Sequence, residues 1–236
     1  PLTDPYPVGT TTITWSVFDE NGNSSTALQS VAVTDDEDPV IAAGADISQP
    51  ADPERCSADI LIQAASANDN CGIVGDPEGT RSDGLPLTDP YPVGTTTITW
   101  TVFDENGNSS TALQSVTVTD DEDPVISAGA DISQSADPER CSADIIIQPA
   151  TANDNCGVVG DPEGTRSDNL PLNDPYPVGT TTITWTVSDE NGNSATATQT
   201  VTVIGDEGPV IAVGDNISQS TDEGLCSAQI TIEAAT

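Results

Sequence analysis

Oxygen-bearing side chains crowd into three recurring runs of this chain, and cysteines recur between them. The runs are Asp120-Asp121-Glu122-Asp123-Pro124, then Asn153-Asp154-Asn155, then Asp189-Glu190-Asn191. Carboxylates and amides are hard ligands, and Ca²⁺ takes about six to eight such oxygens in a flexible cage. The candidate ligands are Asp36, Glu37, Asp38, Asn68, Asp69, Asn70, Asp104 and Glu105. One period on they are Asp121, Glu122, Asp123, Asn153, Asp154, Asn155, Asp189 and Glu190. A single run of Asp and Asn reads as an ordinary solvated turn. Runs that converge on one another read as a cation site.

The five cysteines (Cys56, Cys71, Cys141, Cys156 and Cys226) stand at fixed places in small, loop-rich units. That usage points to disulfides and an oxidising compartment. With two cysteines per unit and no histidine in the chain, a zinc site is a poor alternative. Paired carboxylates could in principle serve a glycosidase. Here they lie in repeated turns with no insertion to form a cleft, so no catalytic residue is assigned and the chain is read as not an enzyme.

The elements that must position these residues come in copies. Pro-Tyr-Pro-Val-Gly-Thr starts at Pro5, Pro90 and Pro175, and Trp15, Trp100 and Trp185 keep the same step. Residues 1–85 and 86–170 differ only at positions 16, 32, 42, 50, 61, 64, 66, 73 and 84. A fixed period of this kind signals a repeat array. Near-identical copies present near-identical surfaces, which argues against a unique active site. The units are read as residues 37–121 and 122–206, with the C-terminal half of a unit over 1–36 and the N-terminal part of another over 207–236. Continuation of the same chain at both ends is expected.

Charge excludes several partners. The chain has 39 acidic residues against four arginines, for a net charge of −35. Such a chain does not bind a phosphate backbone, and an anionic membrane surface repels it. No apolar stretch approaches the length of a transmembrane helix. Compact units can follow one another closely only if the charge is screened or neutralised, which divalent cations would do. Acidity this strong can mean disorder, but the apolar residues alternate in register from copy to copy.

The alternation is that of strands. In Gly94–Phe103, residues Thr96, Ile98, Trp100 and Val102 share one face, and Thr95, Thr97, Thr99 and Thr101 the other. Asp104-Glu-Asn-Gly-Asn108 is a turn with an Asn-Gly pair. Ser109–Thr119 returns as a strand with Val116 and Val118 inward. Cys56–Gln63 is predicted as a further strand with Ala58, Ile60 and Ile62 on one face. Nothing shows helical periodicity. The outer threonines read as solvent-facing strand residues. Asn23-Ser-Ser, Asn108-Ser-Ser and Asn216-Ile-Ser match the short N-glycosylation motif. Short strands and turn signals in a unit of this size predict an all-β fold of tandem immunoglobulin-like β-sandwich domains stacked end to end.

Pro92-Val-Gly-Thr-Thr-Thr-Ile-Thr-Trp-Thr-Val-Phe-Asp104, then Gly107-Asn108 and Val116-Thr-Val118, resembles the hyalin-repeat (HYR) family. Ala45-Asp46-Ile47 and Asn68-Asp69-Asn70 fit its earlier half. The resemblance implies an immunoglobulin-like fold in an extracellular or cell-surface protein, often adhesive, here of a bacterial-type surface or filament protein. The family commonly carries a cysteine before the Asp-Ile motif and another on the last strand. Here Ala43 and Ala112 stand at those places, so the usual disulfide is absent.

In such a topology the loop after the second strand, the turn between the last two strands and the entering linker share the N-terminal end of the domain. The three oxygen-rich runs therefore converge at a domain junction, an arrangement that resembles the calcium-bridged junctions of cadherins. The third linker, Gly205-Asp206-Glu207-Gly208, lacks the counterpart of Asp123 and should bind more weakly. Two disulfide schemes compete. Pairing within a unit joins Cys56 to Cys71 and Cys141 to Cys156. A strand of about eight residues spans roughly 26 Å, whereas bonded cysteines need Cα atoms about 4.4–6.8 Å apart. Pairing within a unit therefore requires a hairpin near Gln63-Ala64. Pairing between units, Cys56 with Cys156, is the favoured scheme.

The functional expectation is a structural extracellular fibre, stalk or spacer, Ca²⁺-rigidified and cross-linked by disulfides. The alternative is the extender region of a cell-surface adhesin whose binding domain lies elsewhere. Partners would be the continuing chain, with lateral self-association or a surface glycan besides.

Overall fold

The computed structural model describes residues 3–206, 208 and 211–234. Glu207, Pro209 and Val210, and the first two and last two residues, lie outside them. The described residues contain strands and turns and no helix. In chain order the strands are β1 (Gly9–Phe18), β2 (Ser24–Val33), β3 (Val40–Ala42), β4 (Ile47–Pro50), β5 (Ser57–Ala58), β6 (Ser66–Asn68), β7 (Glu78–Arg81), β8 (Tyr91–Pro92), β9 (Gly94–Phe103) and β10 (Ser109–Thr119). The next copy repeats the last eight as β11 (Val125–Ser127), β12 (Ile132–Ser135), β13 (Ser142–Ala143), β14 (Thr151–Asn153), β15 (Glu163–Arg166), β16 (Tyr176–Pro177), β17 (Gly179–Ser188) and β18 (Ser194–Ile204).

The chain forms two compact units. The first comprises Pro1–Pro124 together with Asn153–Val158 and Ser188–Asn193; the second comprises Val125–Ala152, Val159–Val187 and Ser194–Thr236. In the first, one layer is a four-stranded sheet in the order β4-β10-β9-β7, and the facing layer is made of the pairs β3-β6 and β5-β8. β9 and β10 form an antiparallel hairpin in continuous register from Phe103↔Ser109 to Gly94↔Val118. The opening segment crosses between layers: β3 pairs antiparallel with β6, and β4 lies parallel to β10.

Period-two alternation sorts the side chains. Thr96, Ile98, Trp100 and Val102 are all buried, as are Val116 and Val118 on β10. They close against Ala58, Ala65 and Tyr91 of the facing layer. The second unit repeats the arrangement with Ala143, Ala150, Tyr176, Ile183, Trp185, Val201 and Val203. Gln114 takes an inward place on β10, where its side-chain carbonyl accepts the Trp100 indole N–H at 3.2 Å and its amide donates to the Ala45 carbonyl at 2.9 Å. Gly79 lets the Trp100 ring lie against the β7 backbone, since a Cβ there would stand 2.9 Å from ring carbon Cζ3.

The strand expected over Cys56–Gln63 forms a ladder only at Ser57 and Ala58, opposite Pro92 and Tyr91. Ile60 and Ile62 still pack on the core, and Leu61 faces solvent. The ladder stops because its partner segment contains Pro86, Pro90 and Pro92. Prolines have no N–H to donate.

A buried cation holds that proline-rich segment. The Arg81 side chain is fully enclosed and ion-paired with Asp83. Its Nε also donates to Asp83, Nη1 donates to the carbonyls of Pro86 and Asp89, and Nη2 donates to that of Pro90. All five guanidinium N–H donors are thereby used. Arg166 repeats the set with Asp168, Pro171, Asp174 and Pro175.

Candidate cation site and its disulfide

β10 ends at Thr119, and its inward parity carries one residue further. Asp120 therefore continues the series Val116, Val118 and is 9% exposed. Asp189 follows β17 on the same principle, in phase with Trp185 and Val187, and is also buried. Asp154 lies in the loop after β14. These three carboxylates each bring an oxygen within 4.8 Å of the others. All three belong to the first compact unit.

Hydrogen bonds fix the cluster. Asp189 Oδ1 accepts the backbone N–H groups of Asn191, Gly192 and Asn193, and Oδ2 accepts the Asn193 amide at 2.7 Å. Burial pushes the Asp189 carboxyl upward; the bonds from Asn193, Gly192 and Asn191 outweigh it, so it stays below its ordinary value. The Asn191 amide donates to Asp120 Oδ2 at 2.9 Å, and the Asn193 amide to the Asp120 carbonyl at 3.2 Å. Asp154 Oδ2 accepts the Cys156 N–H at 2.8 Å. The Asn155 amide donates to the Arg55 carbonyl at 3.1 Å and to Asp120 Oδ1 at 3.3 Å.

Two oxygens remain. Asp154 Oδ1 and Asn155 Oδ1 are both buried without a hydrogen-bond partner. Buried acceptors are ordinarily satisfied, so a donor or cation from solution fits here. The donor set is hard oxygen throughout, which suits Ca²⁺ rather than a thiophilic metal. No arginine answers the cluster's charge. Arg55 pairs with Asp52 and Asp59, Arg140 with Asp144, and Arg81 and Arg166 with Asp83 and Asp168.

The cluster differs in detail from the sequence expectation. Asp154, Asn155 and Asp189 are in it or against it. From the linker it draws Asp120, whereas Asp121, Glu122 and Asp123 are exposed, as are Asn153 and Glu190. Glu122 instead accepts the Glu54 N–H at 3.2 Å. One copy earlier, Asp35, Asp69 and the Cys71 sulfur form the corresponding trio. There Asp36, Glu37, Asp38, Asn68, Asn70 and Glu105 are exposed. Asp104 is buried and caps its turn through the N–H groups of Asn106, Gly107 and Asn108. The phase of Asp35 with Val31 and Val33, and of Asp120 with Val116 and Val118, was the available signal.

Beside the cluster a disulfide joins Cys56 to Cys156, with Cα atoms 4.7 Å apart, in place of a Cys56–Cys71 bond. Cys71, Cys141 and Cys226 form no disulfide within residues 1–236. The Cys71 thiol is held above its ordinary value by burial and by the nearby Asp35 carboxylate.

A β-sandwich of this strand order, repeated along the chain with acidic loops, defines a tandem β-sandwich module. The chain belongs to the HYR domain family, which matches residues 34–118 and 119–203. It is 28% identical over 236 residues to hyalin of Strongylocentrotus purpuratus, covering 96% of this chain and 19% of that protein. It is 29% identical over 208 residues to hyalin of Lytechinus variegatus, covering 85% of this chain and 38% of that one. The chain thus spans well under half the length of these relatives. Both are sea urchin proteins, and they lend no support to the expected bacterial-type origin. Similar solved structures include protocadherin gammaB7 EC3-6 (TM-score 0.32, 17% identity, covering 83% of this chain and 58% of that one). Another is mouse clustered PcdhgC3 EC1-3 (TM-score 0.29, 17% identity, covering 83% and 77%). The repeats are extracellular or cell-surface modules, and they fit a structural or adhesive role.

Proposed function

We propose that this chain is part of an extracellular fibre, stalk or spacer whose working repeats are residues 37–121 and 122–206, each rigidified by Ca²⁺. Asp120, Asp154, Asn155 and Asp189 contribute oxygens to the ion, and water completes its shell. The outer linker acids Asp121, Glu122 and Asp123 raise its local concentration. The observation that carries this reading is a carboxylate trio with one unpartnered buried oxygen in it and another beside it on Asn155, and no arginine left to neutralise it. Ca²⁺ supplies charge neutralisation and a multidentate link; the chain supplies pre-ordered ligands. The third linker, which has Gly208 in place of Asp123, binds more weakly. Lateral partners are a second copy or a surface glycan.

The test is thermal unfolding at fixed ionic strength with added Ca²⁺. A ligand that binds only the native state raises Tm, by an amount set by its concentration relative to Kd. The expected result is a rise at millimolar Ca²⁺ that Mg²⁺ does not match and that Asp154→Asn abolishes. No shift would overturn the calcium reading. A second role, as the extender of a cell-surface adhesin, is supported by the tandem HYR match, which fits adhesive as well as structural proteins.

A further inference from the structure

We propose that the Cys56–Cys156 disulfide and the cation cluster are thermodynamically linked, so that forming the bond tightens cation binding and the bound cation protects the bond. This rests on the calcium reading above. The free oxygens belong to Asp154 and Asn155, the two residues immediately before Cys156. The Cys156 N–H itself holds Asp154 Oδ2, and the Asn155 amide is tied to the carbonyl of Arg55, the residue immediately before Cys56. The bond therefore fixes the C-terminal end of the short segment that presents the ligands and keeps the Arg55 carbonyl beside it. Ligands fixed before binding lose less freedom when they bind.

Reduction by a dithiol is the step that uncouples the site. One reductant thiolate attacks a sulfur of the Cys56–Cys156 bond, and its second thiolate closes the reductant's own disulfide. Two electrons and two protons end on the Cys56 and Cys156 thiols. Linkage is reciprocal: whatever factor the bond adds to cation affinity, the cation adds to the stability of the bond.

Calcium titration calorimetry on the 236-residue chain tests this, comparing the oxidised chain with the Cys56→Ser/Cys156→Ser variant. The expected Kd for Ca²⁺ is about tenfold higher in the variant, within the usual range for coupled sites. Equal affinities would overturn the linkage and leave the calcium reading standing; absence of binding to the oxidised chain would overturn both. A second measurement avoids any folding defect in the variant. Dithiothreitol reduction of the wild-type chain, followed by thiol counting, is run in Ca²⁺ and in Mg²⁺ of equal ionic strength. Reduction is expected to be several-fold slower in Ca²⁺, and Asp154→Asn, which keeps the disulfide, should erase the difference. The same rate in both ions would overturn the proposal.

Discussion

The Arg81 guanidinium lies over the Tyr91 ring with its central carbon 3.8 Å from the ring centroid. It anchors three backbone carbonyls from a segment too rich in proline to form a ladder of its own. Arg81→Lys keeps the charge but loses the fork and the stacking. It should cost about 3 kcal/mol, the low end for disrupting a buried ion pair, read as a lower midpoint in urea unfolding. An unchanged midpoint would mean that the loop holds without it.

Acid should weaken the same anchor. The Arg81 hydrogen bond is the main cause holding the Asp83 carboxyl below its ordinary 3.8, and Arg166 does the same for Asp168. A carboxylate depressed in the folded state adds stability above its unfolded pKa, and loses it as pH falls through the folded value. Stability should therefore decline below about pH 4, and Asp83→Asn/Asp168→Asn should flatten that part of the profile. An identical slope in the variant would place the acid sensitivity elsewhere.

Much of this fold is legible in the sequence because strict alternation has one consequence. Once Trp100 is inside, Ile98, Val102 and Thr96 must be inside too. Gln114 and Arg81 were less legible, since a polar residue in an inward place reads as an interruption until its partners are known. The signal for Arg81 was scarcity: two of only four arginines stand in matching strands, each two residues before an aspartate. For the linker, the density of acids drew attention to Asp121, Glu122 and Asp123, whereas parity selects Asp120.

Glu54 has φ of 61° at the third position of a turn closed by the Arg55 N–H to the Asp52 carbonyl at 3.0 Å. With Pro53 before it, this is the turn type that favours glycine there, and the third copy has Gly224, at φ 81°. Glu54→Gly should stabilise the chain by about 1 kcal/mol, the cost of a left-handed conformation for a residue with a Cβ. A fall in Tm would show that the Glu54 side chain matters more than the backbone.

Gly79→Ala tests the closeness of the indole. The new methyl would meet Trp100 Cζ3 at 2.9 Å and Leu87 Cδ1 at 3.0 Å. Overpacking of this kind costs about 1–3 kcal/mol, and the shifted ring should change the tryptophan emission of the folded chain. Full stability with unaltered emission would mean that the ring yields freely.

The Cys56–Cys156 bond spans 100 residues, more than the 85 that separate Cys56 from Cys141. It therefore encloses a whole period of the sequence, including the exposed acidic stretch Asp121–Asp123. A protease that cuts there severs the polypeptide but not the molecule. The two pieces stay joined through sulfur, and they migrate apart in electrophoresis only after a reductant is added. A break in the backbone at that point leaves the two halves covalently joined.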